Sequence, residues 1–284
     1  MGDLEGRRYV VTGSNTGIGR VTALELARRG GEVWLANRSE EKTRPVIDEI
    51  VAAGGRARFV PLDLSDLASV RACADRILVE TDRLDALINN AGLARAPGST
   101  KQGFENTFGV NHLGHFLLTN RLLPALEKAA SEHAPARIVN VSSRGHYRAS
   151  RFDWDALRKP TRSYTGLPEY NVSKLANVVF TKELARRLGT GKVHAYALHP
   201  GVVASDVWRG VPWPFQGLIK RFMISNEEGA RTTLHCATSP ECAGATGRYY
   251  DLCREKTPNP VSEDAALAKE LWAKSEAWTA PFSA

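Results

Sequence analysis

Cysteine is scarce. The chain has four in 284 residues, Cys73, Cys236, Cys242 and Cys253. None forms a C-x-x-C pair, and no histidine cluster lies beside them. This argues against a zinc site, so no metal is expected, and against a disulfide framework. Reduced, partly buried thiols are the expectation. Long hydrophobic runs are missing as well. No stretch approaches the about 18 apolar residues of a membrane span. The start, Met1–Gly6, is polar and lacks the apolar centre of a signal peptide. A cytoplasmic location is therefore expected. Blocks of like charge are also absent. The net charge is +7, but the basic residues are scattered. No basic stripe with interleaved aromatics supports nucleic-acid binding. A solvated basic surface or a polyanionic small ligand fits better. No Pro/Gly/Ser-rich linker divides the chain. At 43% hydrophobic and 24% charged it reads as one globular domain over 1–284.

What is present begins with a glycine loop. The apolar run Arg7–Val11 leads into Thr12-Gly13-Ser14-Asn15-Thr16-Gly17-Ile18-Gly19. A helix follows from Arg20 to Arg29, with Val21, Leu24 and Ala27 at helical spacing. A strand that ends in close glycines and turns into a helix cradles a pyrophosphate. Gly13 permits the turn. Gly17 and Gly19 let backbone and phosphate approach with no Cβ between them. The free N–H groups and positive pole of the helix face the anion. The spacing Gly-x3-Gly-x-Gly differs from the commoner Gly-x-Gly-x-x-Gly.

Strand and helix patterns then alternate. Val33–Ala36 reads as a strand, followed by a helix capped by Ser39, with Glu40 and Glu41 in its first turn, and stopped by Gly54-Gly55. Ala57–Leu62 is the third strand; Ser65 or Asp66 caps the next helix, to about Thr81. Asp85–Asn89, Arg137–Ser142 and Val193–His199 are further strands. Gly103–Glu132 is helical with a break near Pro124, and Pro168–Leu188 is strongly helical. This alternation predicts an α/β fold: one Rossmann-type, doubly wound parallel sheet of about seven strands, with helices on both faces. Small or polar groups follow each strand, at the end where such sheets bind ligands.

The end of the second strand reads the adenosine ribose. An acid there favours NAD. Here Asn37 and Arg38 stand instead. Arg38 suits a 2′-phosphate and can stack on adenine, so NADP(H) is the expected cofactor. Asp63 could bond the adenine amine and Leu64 supply a backbone contact. Asp63 could equally cap a helix.

The chemistry lies in Tyr170-Asn-Val-Ser-Lys174. Positions four apart share a helix face. An ammonium beside a phenol stabilises the phenolate and lowers a pKa normally near 10. Tyr170 thus becomes a general acid or base. Lys174 could also bond the nicotinamide ribose. Ser143, ending the fifth strand, can hold a carbonyl oxygen as charge develops on it.

With Asn89-Asn90-Ala91-Gly92, Asn111, Val141-Ser142-Ser143 and His199-Pro200-Gly201-Val202, these residues resemble the short-chain dehydrogenase/reductase family over nearly the whole chain. Asn106–Phe116, Tyr170–Leu188 and Leu267–Trp272 resemble its retinol dehydrogenase-like branch. The resemblance implies that Tyr170 moves the proton, Lys174 lowers its pKa and Ser143 orients the carbonyl. Asn111 would hold a water linking Lys174 to solvent. Asn90, Ala91 and Gly92 would contact the adenosine ribose, and Pro200, Gly201 and Val203 the nicotinamide carboxamide. The implied activity is NADP(H)-dependent interconversion of an alcohol with an aldehyde or ketone. A lipophilic substrate, retinoid-like, steroid-like or other, is expected. The alternative is a catalytically idle NADP(H) sensor or scaffold.

Some features depart from the family pattern. Ser143 and Tyr170 are 27 positions apart, longer than usual, and the insertion carries Phe152, Trp154 and Tyr164. It is expected to shape the substrate mouth. Ser143 is preferred to Ser142 as the last of the strand-end pair. Ser205 stands where the family often has Thr. Retinoid-active relatives often carry a membrane anchor, and none is seen here, which makes retinol itself less expected. The apolar segment Val207–Met223 reads as part of a lid around 205–226, with peripheral membrane contact as its alternative. His112, His115 and His199 read as packing or solvent residues. The resemblance further implies a dimer or tetramer, paired through the helices Tyr170–Leu188 and Glu227–Thr238.

Overall fold

The computed structural model describes residues 2–130, 134–201 and 224–283. Neighbouring residues on each central strand point to opposite faces, and both are buried. Val10 and Val11 of β1 (Arg8–Thr12), Leu87 and Ile88 of β4 (Ala86–Asn89), and Ile138 and Val139 of β5 (Ala136–Val141) are all inaccessible. Such strands require a cover on each side. One cover holds α1 (Gly17–Arg28), α2 (Glu40–Ala52) and α6 (Asn226–Thr238). The other holds α3 (Leu67–Glu80), α4 (Gly114–Ala129), α5 (Leu167–Leu188) and α7 (Ala265–Thr279).

The remaining strands are β2 (Glu32–Asn37), β3 (Arg56–Pro61), β6 (Val193–His199), β7 (Arg248–Asp251) and β8 (Arg254–Glu255). The sheet order is β3-β2-β1-β4-β5-β6-β7-β8. Seven strands are parallel, as expected; the short eighth runs antiparallel to β7. The order reverses between β1 and β4, which opens a crevice at their carboxyl ends.

Local signals explain most boundaries. Ser39 caps α2 by accepting from the Lys42 N–H. Asp66, not Ser65, caps α3. The expected break near Pro124 is absent, since Pro124 lies inside α4. The irregularity is upstream. A single α-turn at Asn106–Phe108 widens to π-helix over Gly109–Leu113 before α4 begins. That wide turn carries Asn111.

Two of the three aromatics in the insertion between Ser143 and Tyr170 pack inward instead of lining a mouth. Phe152 is buried against Trp154, ring centroids 5.1 Å apart, and Trp154 meets Trp278 of α7 at 6.4 Å. Burying these large rings against a helix outweighs exposing them in a cleft. Tyr164 is fully exposed.

The same helix covers α5. Trp272 stacks on Phe180 at 5.8 Å, meets Phe116 edge-on at 5.0 Å, and lies 4.2 Å from the Arg187 guanidinium carbon. Pairing of two copies through this face of α5 would have to displace α7. Trp272→Ala removes the central ring of the cluster. It should cost about 3–5 kcal/mol, read as a lower urea midpoint at unchanged slope. α6 packs onto α1 and the sheet with Gly229, Ala230, Thr233 and Cys236 inward.

Candidate active site

The glycine loop closes on itself. Gly13 has φ +66°, a left-handed conformation, and a Cβ there would lie 2.8 Å from the Ala91 Cα. A Cβ on Gly19 would lie 2.3 Å from the Gly13 oxygen and 2.4 Å from Asn90 Nδ2. Only glycine fits at either position. Gly17, Ile18 and Gly19 fall within the first turn of α1, where N–H groups have no partner inside the helix. Thr16 makes no side-chain cap, and no acid lies in the first turn. Asn15 is half-buried and Thr16 exposed beside it. An uncapped, positive helix end behind a glycine turn fits a pyrophosphate.

Some expected contacts are engaged elsewhere. Ser14 is fully buried; its N–H donates to Asn37 Oδ1 at 2.7 Å, and its hydroxyl donates to the Val11 oxygen at 3.1 Å. Ser14 and Asn37 therefore lock the loop to β2 rather than meet a ligand. The Asn90 amide donates to the Thr12 and Gly13 oxygens, at 2.8 and 3.2 Å, so that side chain also braces the loop. Asp63 Oδ1 accepts from the Ser65 N–H at 2.9 Å and hydroxyl at 2.7 Å, which makes it a turn residue before α3. Leu64 is buried against Gly114. Arg38 is exposed at the end of β2, with no ion pair among the described residues.

Thr12 links the two halves of the crevice. Its hydroxyl oxygen accepts from the N–H groups of Asn90 (3.0 Å) and Ala91 (2.9 Å). It also meets His115 Nε2 at 2.9 Å, while His115 Nδ1 meets the Asn111 oxygen at 3.1 Å. Burial lowers the His115 pKa to about 4, so the ring is neutral. Nδ1–H then donates to Asn111, and Nε2 accepts from Thr12. His115 is therefore a bridge, which the sequence did not disclose. His112, lowered to about 3 by burial, packs among Phe108, Phe116 and Phe180 as expected.

The catalytic candidates converge beside this bridge. A buried ladder fixes α5 on the sheet: Asn89 donates to Thr119 and Asn140, and Asn140 donates to Thr181, all within 2.9 Å. Ser142 is buried and donates to the Lys174 oxygen at 2.7 Å. Ser143 is half-buried, accepts from the Gly145 N–H at 3.1 Å, and hydrogen-bonds Tyr170. The structure thus pairs Ser143, not Ser142, with the phenol. His146 Nδ1 holds the Ser143 carbonyl at 2.6 Å, and Asn259 in turn donates to His146 Nε2 at 3.1 Å. Lys174 is buried, and its ammonium donates to the Val141 oxygen at 2.9 Å, 5.7 Å from the Tyr170 ring centroid. A Cβ on Gly92 would sit 3.3 Å from both Lys174 Nζ and Asn111 Oδ1. Asn111 accepts from the Leu93 N–H at 2.7 Å and donates to the Leu93 oxygen and the Ser173 hydroxyl, both at 2.9 Å.

The electrostatics differ from expectation. The expected lowering of the Tyr170 pKa is not seen. Burial pushes the phenol above its ordinary value, opposed by the Ser143 hydrogen bond. Burial also lowers Lys174, to about 8. Removing both groups from water disfavours the charged form of each.

At the end of β6, Pro200 and Gly201 are half-buried. Gly201 has φ +99°, and a Cβ there would strike Ile224 at 2.1 Å. Val203, Ser205 and residues 207–223 lie outside the described residues. The expected lid ends on a capping box: Ser225 and Glu228 start α6. Asn226 stands 3.8 Å from a Cβ built on Gly17, beside the cradle, and was not foreseen.

Residues 7–152 match the short chain dehydrogenase family model. Human retinol dehydrogenase 13 is 44% identical over 283 residues, covering 96% of this chain and 84% of that protein. The chain belongs to the short-chain dehydrogenase family. Among solved structures, a Mycobacterium paratuberculosis protein aligns with this short-chain dehydrogenase at TM-score 0.79 and 34% identity, covering 98% and 96% of the two chains. The Pseudomonas aeruginosa RhlG/NADP active-site complex aligns at TM-score 0.71 and 26% identity, covering 87% and 95%. The expected likeness to the retinol dehydrogenase branch therefore holds, and the chain is a member of an oxidoreductase family.

Proposed function

We propose that this protein is an NADP(H)-dependent oxidoreductase that interconverts an alcohol with an aldehyde or ketone. The observation that carries this is the convergence of Ser143, Tyr170 and Lys174 beside Gly92, at the mouth of a cradle that only glycines fit. The nucleotide would lie with its pyrophosphate on Gly13–Gly19, its ribose and nicotinamide along Ala91, Gly92, Pro200 and Gly201, and its 2′-phosphate at Arg38. A bound nicotinamide supplies or accepts hydride. Ser143 holds the substrate oxygen through its hydroxyl. Tyr170 gives that oxygen a proton in reduction and takes it back in oxidation. Lys174, moored on the Val141 oxygen close to the phenol, would hydrogen-bond the nicotinamide ribose, with Asn111 beside it across Gly92. Lipophilic substrates are supported by the names of relatives such as retinol dehydrogenase 13. We further propose a cytoplasmic location and a dimer or tetramer. Pairing must use faces that α7 leaves open, and light scattering reads the mass.

The test is a panel of aldehydes and ketones with NADPH and with NADH. Steady NADPH consumption supports the reading. Nucleotide binding without consumption would leave a sensor or scaffold. Arg38→Asp should raise the KM for NADPH about 10- to 100-fold with little change in kcat, because a charge-assisted contact to the 2′-phosphate is lost. NADH kinetics should be little affected.

A further inference from the structure

Arg144 directly follows Ser143. Consecutive Cα atoms are about 3.8 Å apart, so the Arg144 side chain leaves the backbone beside the residue whose hydroxyl would hold a carbonyl oxygen. Its side chain is 58% exposed, whereas its partner carboxylate, Asp251, is only 10% exposed. Nε and Nη2 both donate to Asp251 Oδ2, at 3.0 and 2.9 Å. One edge of the fork is thereby moored. Nη1 has no hydrogen bond among the described residues. A guanidinium held by its Nε edge presents its Nη1–Nη2 edge in fixed orientation, the geometry that receives a carboxylate through two parallel hydrogen bonds.

The ground beneath this pair is polar. Asp251 faces His199 in register across β6 and β7. Both His199 ring nitrogens and Asp251 Oδ1 are buried and have no hydrogen-bond partner among the described residues. Each such atom costs about 1–3 kcal/mol when left unpaired. Asp251, Arg144 and Lys174 all act electrostatically on the buried His199 ring. An ion pair serving only the surface would be solvated on both sides and worth about 0–1 kcal/mol. Here the carboxylate is sunk in the sheet edge and only the cation reaches outward.

We propose that Arg144 recognises an acidic group on the substrate, so that the preferred carbonyl compound is an oxo acid. Its carboxylate seats on the Nη1–Nη2 edge, with Asp251 holding the guanidinium in place. The proposal rests on Ser143, Tyr170 and Lys174 being the carbonyl centre. It refines the lipophilic expectation: the hydrocarbon body is tolerated, and the acid selects.

The test compares oxo acids with their methyl esters, using wild type, Arg144→Leu and Arg144→Lys. The acid-to-ester ratio of kcat/KM should favour the acid in wild type. It should fall about 10- to 100-fold in Arg144→Leu and less in Arg144→Lys, which keeps charge but not the fork. A ratio near one in wild type, or unmoved by Arg144→Leu, overturns the proposal. A second readout needs no turnover: saturated fatty acids and their amides are compared as stabilisers in thermal melts. Acid-selective stabilisation lost in Arg144→Leu, with no carbonyl compound consumed, would uphold the carboxylate site and sink the oxidoreductase reading. Turnover of esters with no acid selectivity in either assay would do the reverse.

Discussion

Tyr170→Phe should lower kcat by roughly a hundred- to ten-thousandfold, the range for removing a positioned general acid. The ring keeps its packing and its place 5.7 Å from Lys174; only the hydroxyl goes. Nucleotide affinity should stay within about threefold of wild type, because no binding contact assigned above is to that oxygen. The measurement is steady-state reduction of an aldehyde, paired with a fluorescence titration of NADPH. Undiminished turnover would remove Tyr170 from the mechanism. Loss of affinity together with turnover would point to collapse of the helix start rather than to chemistry.

The second large effect is at Gly19. By helix propensity alone, Gly19→Ala should stabilise, since glycine inside a helix costs about 1 kcal/mol relative to alanine. Packing decides the other way. The new Cβ would enter at 2.3 Å from one backbone oxygen and 2.4 Å from an amide already bonded to the loop. Relieving that contact must push α1 away from Gly13 or break the Asn90 brace. Overpacking of this kind costs about 1–3 kcal/mol. The cradle N–H groups shift with it, and the Kd for NADPH should rise about 10- to 100-fold. Gly244→Ala is the control, because nothing lies within 4 Å of its added Cβ. It should leave both melting temperature and affinity unchanged. Equal behaviour of the two variants would show that the cradle is loose.

Much of this was legible in the chain. The sixth strand was read at its true limits, Val193–His199, because a β-branched start and Pro200 bound it. Ser39 announced α2 through its hydroxyl and the acids after it. Tyr170 and Lys174 were marked by helical spacing together with the glycine loop upstream and Ser143 at the end of the preceding strand. Other features carry no such signature. A π-turn at Gly109–Leu113 changes neither composition nor periodicity, so the irregularity was assigned to Pro124, the visible breaker. Asn37 was read as facing the ribose because its place in sequence is at a strand end; that its side chain turns back to Ser14 is a matter of tertiary contact. The pKa of Tyr170 was read from its charged neighbour, whereas desolvation, which no sequence displays, governs it. His115 looked like filler because its partners, Thr12 and Asn111, lie on separate elements.

The Thr12 oxygen has a mechanical consequence. It joins the tip of the first strand to the tip of the fourth, and the imidazole behind it extends the tie to the π-turn. The rear wall of the cleft is thus tied at three points through a single oxygen, and a hydroxyl-to-methyl exchange at Thr12 would undo all of them at once.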